Sequence, residues 1–133
     1  MIRIIAMVKG EPDAAPFTQT FFYADKSDEQ VFFNSVSMIK EKLDKNFRIN
    51  VSESITIYCA YIVNELRNRK PARAIEKNAQ KILPVEKVMI GVPETLRQVT
   101  FEAKIDKLPN KRIILKQPIP TSNYVLAAKS RER

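Results

Sequence analysis

Histidine is absent from this chain of 133 residues, and cysteine occurs once, at Cys59. Nickel, zinc and iron centres in proteins depend heavily on imidazole and thiolate ligands, so we predict no metal centre and no cofactor site within this chain. A single cysteine also excludes an internal disulfide bond, which fits a reducing cytoplasm. Cys59 stands between Tyr58 and Ala60 in an apolar stretch, and we therefore interpret it as a buried, inert thiol.

Glycine is almost as scarce as cysteine. Gly10 and Gly91 are the only two glycines, which excludes a glycine-rich loop that cradles phosphate. The glutamates that could serve as acids or bases are spread along the predicted elements, with two of them at opposite ends of one helix: Glu53, Glu65, Glu94 and Glu102. We interpret each of them as a helix cap or part of a solvated face. The sequence therefore predicts no catalytic residue.

Long apolar runs are missing as well. The N-terminal run Ile4 to Val8, for example, is far too short to span a bilayer. Arg3 and Lys9 lie at either end of the short apolar stretch, so a secretory signal is not expected either. These features predict a cytoplasmic protein. The apolar fraction of 44% is still enough to build the core of one domain.

Positive charge, by contrast, is in excess. Lys and Arg number 23 against 15 Asp and Glu, a net charge of +8. Part of this excess forms a basic stripe: Arg67, Arg69, Lys70, Arg73, Lys77 and Lys81. We favour a solvated helix face, and the alternative is an electrostatic contact with an acidic protein or with nucleic acid. Nucleic acid is the less favoured partner because no aromatic residue interleaves with these side chains to stack on bases.

The N-terminal segment alternates in polarity and predicts two strands, Met1 to Val8 and Phe17 to Tyr23. A two-stranded element is one interpretation, and an extended arm that docks on a partner is the other, because a lone hairpin is marginal in water. Phe17, Phe21 and Phe22 are candidate interface residues. If the segment docks on a partner, deletion of residues 1–26 should weaken association more than folding.

Two helices with clear start signals follow this segment. Ser27 and Gln30 form a capping box at the first, which is expected to end near Asn46. The second begins around Asn50 or Ser52 and is apolar on most sides, so we place it at the centre of the fold.

A third helix is predicted from Pro71, and a short helical turn follows Pro84 and ends at Gly91. An extended segment and an antiparallel hairpin of Val99 to Ile105 with Arg112 to Lys116 complete the pattern. The predicted class is α+β, with three main helices, a helical turn, a C-terminal β-hairpin and an N-terminal extended or β appendage. The sequence does not place the hairpin residues Lys111 and Arg112 beside the basic stripe.

The linker and hairpin resemble those of the urease gamma subunit family over residues 27–119. The residues that carry the resemblance are Asn50, Glu53, Arg67, Lys70, Val88-Met89, Gly91-Val92-Pro93-Glu94, Val99, Glu102-Ala103 and Pro118-Ile119. The Gly-Val-Pro-Glu element is its most specific part.

Several positions depart from that family pattern. Asn46 and Arg69 stand where the family usually has glycines, and Arg69 is expected to change the turn there. Ile90 replaces an acidic residue and Lys116 a histidine. Residues 1–26 have no counterpart, and we divide the chain into an N-terminal extension at 1–26, a gamma-like domain at 27–120 and a tail at 121–133.

The resemblance implies a non-catalytic subunit that packs against larger urease-type alpha and beta subunits in a trimeric hetero-oligomer. The nickel centre that hydrolyses urea would lie in the large subunit. The candidate interface residues are Phe17, Phe21, Phe22, Arg67, Lys70, Arg73, Met89, Val92, Pro93 and Glu94. The alternative hypothesis is a gamma-like fold reused as a basic binding module in another complex or on nucleic acid.

Overall fold

The computed structural model describes residues 1–12 and 14–120. Its strands are β1 (Ile2–Lys9), β2 (Phe17–Tyr23), β3 (Gln98–Ile105) and β4 (Lys111–Lys116), and its helices are α1 (Lys26–Asp44), α2 (Val51–Arg67), α3 (Ala72–Asn78) and α4 (Val92–Thr95). Short 3-10 turns follow α3, at Ala79–Lys81 and Val85–Lys87. The predicted α+β class, including the N-terminal strands and the C-terminal hairpin, is confirmed. The predicted tail at 121–133 lies outside the described residues.

The four strands form one antiparallel sheet in the order β2-β1-β3-β4. Ile4 lies opposite Phe21 on one side and Ala103 on the other. The first strand of the chain is therefore an interior strand of the sheet that contains the C-terminal hairpin. This pairing corrects the docking-arm interpretation, because β1 forms its hydrogen bonds within the chain on both of its edges.

One face of the sheet packs against the helices, with α2 contacting both β1 and β3. Every second residue of β1 is buried on this face: Ile2, Ile4, Ala6 and Val8. On α2, Ile55, Cys59 and Ile62 are fully buried, which confirms the prediction of a central helix. Burial raises the pKa of the Cys59 thiol far above its usual range, so the thiol is held in its unreactive protonated form.

The helix starts follow local capping chemistry. Helix α2 starts at Asn50, one of its two predicted starts, with a capping box: the Glu53 amide donates to Asn50 Oδ1 at 2.8 Å and the Asn50 amide donates to Glu53 Oε1 at 3.0 Å. At α1 the prediction of Ser27 as the cap is wrong. Asp25 caps the helix instead, because its extended backbone lets Oδ1 accept from the Asp28 amide at 2.9 Å.

Both long helices end in the same left-handed turn. Asn46 has φ 64° and Arg69 has φ 58°, and the amide of Lys70 donates to the Glu65 carbonyl at 3.0 Å. This pattern is a Schellman motif, which usually places glycine at the left-handed position. The expectation that Arg69 changes the turn is wrong: the arginine adopts the conformation that glycine favours, at a cost of about 1 kcal/mol.

The Gly-Val-Pro-Glu element also differs from its predicted form. The predicted helical turn ends at Lys87 rather than at Gly91, and Gly91, with φ 95°, lies at the start of the four-residue helix α4. Val92 and Pro93 belong to this helix instead of leading directly into an extended segment, and the Thr95 amide donates to the Gly91 carbonyl at 3.1 Å. Proline fits here because the first helical turn does not need its missing amide hydrogen.

Candidate protein-interaction site

The candidate interface residues fall into buried and exposed groups. Phe21, Val92 and Pro93 have their side chains in the core of the chain. The exposed members of the set are Phe17, Phe22, Lys70, Arg73 and Met89. Exposed aromatic and sulfur-containing side chains are the more natural contact residues, so the accessible candidates are those of the second group.

The aromatic residues of β2 divide between the two faces of the sheet. The ring of Phe21 lies edge-on to Phe32 of α1, with centroids 6.0 Å apart, and so belongs to the core. Phe22 is 57% exposed and lies opposite Arg3 on the open face of the sheet. Alternation along the strand thus separates two neighbours that are both candidate interface residues.

Glu94 and Gly10 lie where the β1–β2 turn meets α4. A Cβ atom added to Gly10 would lie 2.9 Å from the Thr95 carbonyl oxygen, so the small residue allows a close backbone contact. Within the described residues, Glu94 Oε2 is buried without a hydrogen-bond partner. The Gly-Val-Pro-Glu element thus packs largely inside the chain.

Arg67 is held in an internal ion-pair network. Its guanidinium Nη2 lies 2.6 Å from Glu29 Oε1 and 3.1 Å from Asp106 Oδ1. The amino group of Met1 lies 3.1 Å from each of the same two carboxylates. The network joins α1, α2, β1 and the β3–β4 turn, so the described contacts give Arg67 a structural role within the chain.

The network shifts the pKa of both carboxyl groups downward. Burial alone would raise the pKa of Glu29, but hydrogen bonds from Arg67 and the Met1 amino group outweigh it. The hydrogen bond from Arg67 is the main cause of the lowered pKa of Asp106. This network could not be read from the sequence, because Arg67 lies 38 residues from Glu29 and 39 from Asp106. The nearest pair, Met1 and Glu29, is still 28 residues apart, and no local pattern marks such a contact.

A cleft with basic side chains at its rim lies between the α2–α3 junction and the β3–β4 turn. Its volume is about 270 Å³, and its lining residues are Leu66, Arg69, Lys70, Pro71, Ile105, Leu108, Pro109 and Lys111. We call this the basic cleft. The sequence left the position of Lys111 open, and the structure places it in the same cleft as Arg69 and Lys70. Arg112 instead lies 3.7 Å from Glu102 on the open face of the sheet.

The third helix covers the outer edge of the hairpin. Helix α3 contacts β4, and the Ile114 amide donates to Glu76 Oε2 at 2.7 Å. This bond satisfies an edge amide that would otherwise be open to strand addition by another chain. Helix α3 thus covers an edge of the sheet that would otherwise offer backbone hydrogen bonds to another strand.

Residues 1–12 and 14–120 contain no group of three or more side chains that could hold a metal ion. None of the helices in this part of the chain is long and apolar enough to cross a bilayer. The described residues thus define an α+β protein whose surface carries charged and apolar features rather than a metal cluster.

The family model described as "Urease, gamma subunit" matches residues 22–119, which is more than half of the chain. The chain belongs to the urease gamma subunit family. It is 30% identical to a urease subunit gamma of Halalkalibacterium halodurans over 76 residues, which cover 56% of this chain and 76% of the relative. It is 22% identical to the urease subunit gamma of Saccharopolyspora erythraea over 76 residues, which cover 57% of this chain and 76% of the relative.

The matched range does not coincide with the sheet. It begins at Phe22, near the end of β2, so β1 and most of β2 lie before it. Both hairpin strands lie within it. The sheet of this chain therefore combines a family-matched hairpin with strands from outside the match.

Proposed function

We propose that this chain is a non-catalytic structural subunit of a urease-type assembly. The observation that carries the proposal is membership of the urease gamma subunit family over residues 22–119. The absence of histidine from the chain supports a role without its own metal chemistry. Its contribution would be contact surface for larger subunits, and its location would be the cytoplasm.

The partners in this proposal are urease-type alpha and beta subunits in a trimeric hetero-oligomer. The described residues do not fit a nickel site, because they lack a cluster of metal-capable side chains. Nickel and the hydrolysis of urea to ammonia and carbamate would therefore belong to the larger subunit. The exposed side chains Phe22, Met89 and Lys70 are proposed contacts.

The alternative proposal is that the same fold serves as a basic binding module in another complex. The net charge of +8 and the unusual Arg69 favour it. Nucleic acid is a less favoured partner than protein here, because the described lining of the basic cleft consists of aliphatic residues, prolines and basic residues and offers no aromatic ring for base stacking.

Co-expression with urease alpha and beta subunits tests the proposal. A tagged full-length chain should co-elute with both subunits in size-exclusion chromatography, and light scattering should report a mass above that of any single subunit. The matched control is the chain expressed alone, run at the same concentration.

Retention of the chain on nucleic acid, lost as salt rises and without urease subunits in the complex, would instead support the alternative. Urea hydrolysis by the purified single chain would contradict the non-catalytic role. Both measurements use the intact protein and need no assumption about its stoichiometry.

A further inference from the structure

The basic cleft differs from the rest of the charged surface in having an apolar floor. Leu66, Ile105 and Leu108 line it from α2, the end of β3 and the hairpin turn. Its volume of about 270 Å³ lies just below the usual range of about 300–1,000 Å³ for small-molecule sites. The cleft therefore suits one anchoring side chain of a partner better than a whole cofactor.

Among the residues that the structure describes, the charges at the rim of the cleft have no acidic neighbours within ion-pair distance. Arg69, Lys70 and Lys111 line the cleft, and none of them forms a salt bridge with any of the residues at positions 1–12 and 14–120. Arg67, the last residue of α2, by contrast forms salt bridges with Glu29 and Asp106. The carboxylates of Glu29 and Asp106 thus pair with Arg67, and the cations at the rim of the cleft can attract an anion from another molecule.

Backbone geometry gives a second, independent observation. Arg69 occupies a left-handed position with φ 58°, where a glycine would avoid the steric strain of a Cβ atom. Strain of this kind is typical of residues whose side chains serve a function. The side chain that the strained position presents is one of the cations at the cleft.

We propose that the basic cleft binds an acidic segment of a protein partner, with one apolar side chain of that segment on the cleft floor and flanking carboxylates on Arg69, Lys70 and Lys111. The proposal rests on the proposed function insofar as the partner is a protein. Charge selects the occupant: residues 121–133 of this chain carry Lys129, Arg131 and Arg133 against a single acid, Glu132, so like charge disfavours them.

Site-specific photocrosslinking in the intact chain identifies the occupant. A benzophenone amino acid replaces Leu108, which is half-buried in the cleft, and the control chain carries the same group at Met38, which is 69% exposed on α1. After irradiation in the source cells, mass spectrometry maps the crosslinked peptide. We expect the Leu108 probe to join a segment with acidic residues on both sides of an apolar one, and the Met38 probe to join a different segment or none.

Removal of charge then tests the recognition chemistry. The double variant Lys70→Gln/Lys111→Gln is compared with Lys77→Gln/Lys81→Gln, which loses the same charge on exposed residues outside the cleft lining. A synthetic peptide with the crosslinked sequence should bind the cleft variant roughly fivefold more weakly than the native chain, by fluorescence anisotropy. The control variant should bind like the native chain, and circular dichroism should report equal folding for both.

The outcomes separate this inference from the proposed function. If the chain co-elutes with urease subunits but the Leu108 probe joins a segment without acidic residues, or no segment, the cleft proposal is wrong and the subunit proposal stands. Equal affinities for the two double variants would also overturn it. A crosslinked product removed by nuclease would show that the anion is nucleic acid rather than a protein carboxylate.

Discussion

Strand β1 and the basic cleft are opposite in character. The inward side chains of β1 have 0–2% exposure, and the strand pairs on both sides with its own chain. The cleft is lined by cations that form no salt bridge with the described part of the chain, and it includes a strained arginine. Stability and the proposed recognition thus depend on different regions of the molecule. Stability depends on apolar burial in the sheet, and the proposed recognition depends on charges at the α2–α3 turn.

The two regions also differ in their relation to the family match. Strand β1 lies before residue 22 and is central to the core, whereas the cleft lies within residues 22–119. A segment outside the matched range thus completes the sheet. We infer that residues 1–120 fold as one unit, although the sequence suggests a boundary near residue 26.

Deletion of residues 1–24 should have the largest effect. It removes both strands β1 and β2, including Ile2, Ile4 and Val8, each of which contributes about 1.5–3 kcal/mol by burial. A domain of this size has only about 5–15 kcal/mol in total, so the truncated chain should lose its cooperative thermal transition in circular dichroism. Adding a synthetic peptide of residues 1–24 should restore part of the transition. A truncated chain that melts cooperatively by itself would show that β1 is dispensable for folding.

Single substitutions in β1 should show how much each face of the strand contributes to stability. Ile4→Ala should lower the free energy of unfolding by about 3 kcal/mol, because Ile4 is fully buried. Ile5→Ala, on the half-buried open face, should lower it by about 1 kcal/mol or less. Urea denaturation of both variants measures the difference. Equal losses would contradict the assigned inward face of the strand.

Arg67→Met should lower the free energy of unfolding at pH 7 by about 1–2 kcal/mol, because it removes one of the two cations that Glu29 and Asp106 share and leaves them only the Met1 amino group among the described contacts. The matched control is Arg73→Met, which removes the same charge from an exposed position and should change the free energy by less than about 0.5 kcal/mol. Chemical denaturation at constant ionic strength measures both.

The effect of Arg67→Met should depend on pH with a definite sign. The network lowers the pKa of Glu29 and of Asp106 in the folded chain. Their contribution is therefore complete above the ordinary carboxyl pKa values of about 4 and is lost as the pH falls through the lowered ones. The difference between the native chain and the variant should shrink below about pH 4. A constant difference from pH 7 to pH 3 would contradict the assigned network.

Replacement of Arg69 should have the smallest effect on stability, and it should stabilise the chain, whereas the changes above destabilise it. Arg69→Gly should raise the free energy of unfolding by about 0.5–1 kcal/mol, because glycine relieves the left-handed strain. Asn46→Gly, at the equivalent position of α1, should give a smaller gain, because asparagine tolerates this conformation. Thermal unfolding compares the two. A loss of stability in Arg69→Gly would indicate that the arginine side chain supports the fold.

The elements themselves could be predicted because their signals are local. Alternation along β1 and β3 identified the strands and their inward faces, and Asn50 with Glu53 marked the start of α2 through contacts only three residues apart. The family resemblance also rested on local elements. The start of α1 was misplaced because Asp25 and Ser27 are both suitable caps, and only the backbone geometry decides between them.

The arrangement of those elements could not be predicted in the same way. The pairing of Ile4 with Ala103 and the approach of Arg67 to Asp106 join residues far apart along the chain. Such contacts depend on how whole faces pack, and a single sequence does not encode them in any short pattern. For the same reason Lys111 could be recognised as basic, but its place beside Arg69 and Lys70 needed the structure.

Native-state hydrogen exchange tests most directly whether the first strand belongs to the core of this fold. Amides of β1 that bond to β2 or β3 should exchange only through global unfolding, with the same free energy and denaturant dependence as the amides of β3. Exchange of the β1 amides at a distinctly lower free energy, with β3 still fully protected, would contradict the account.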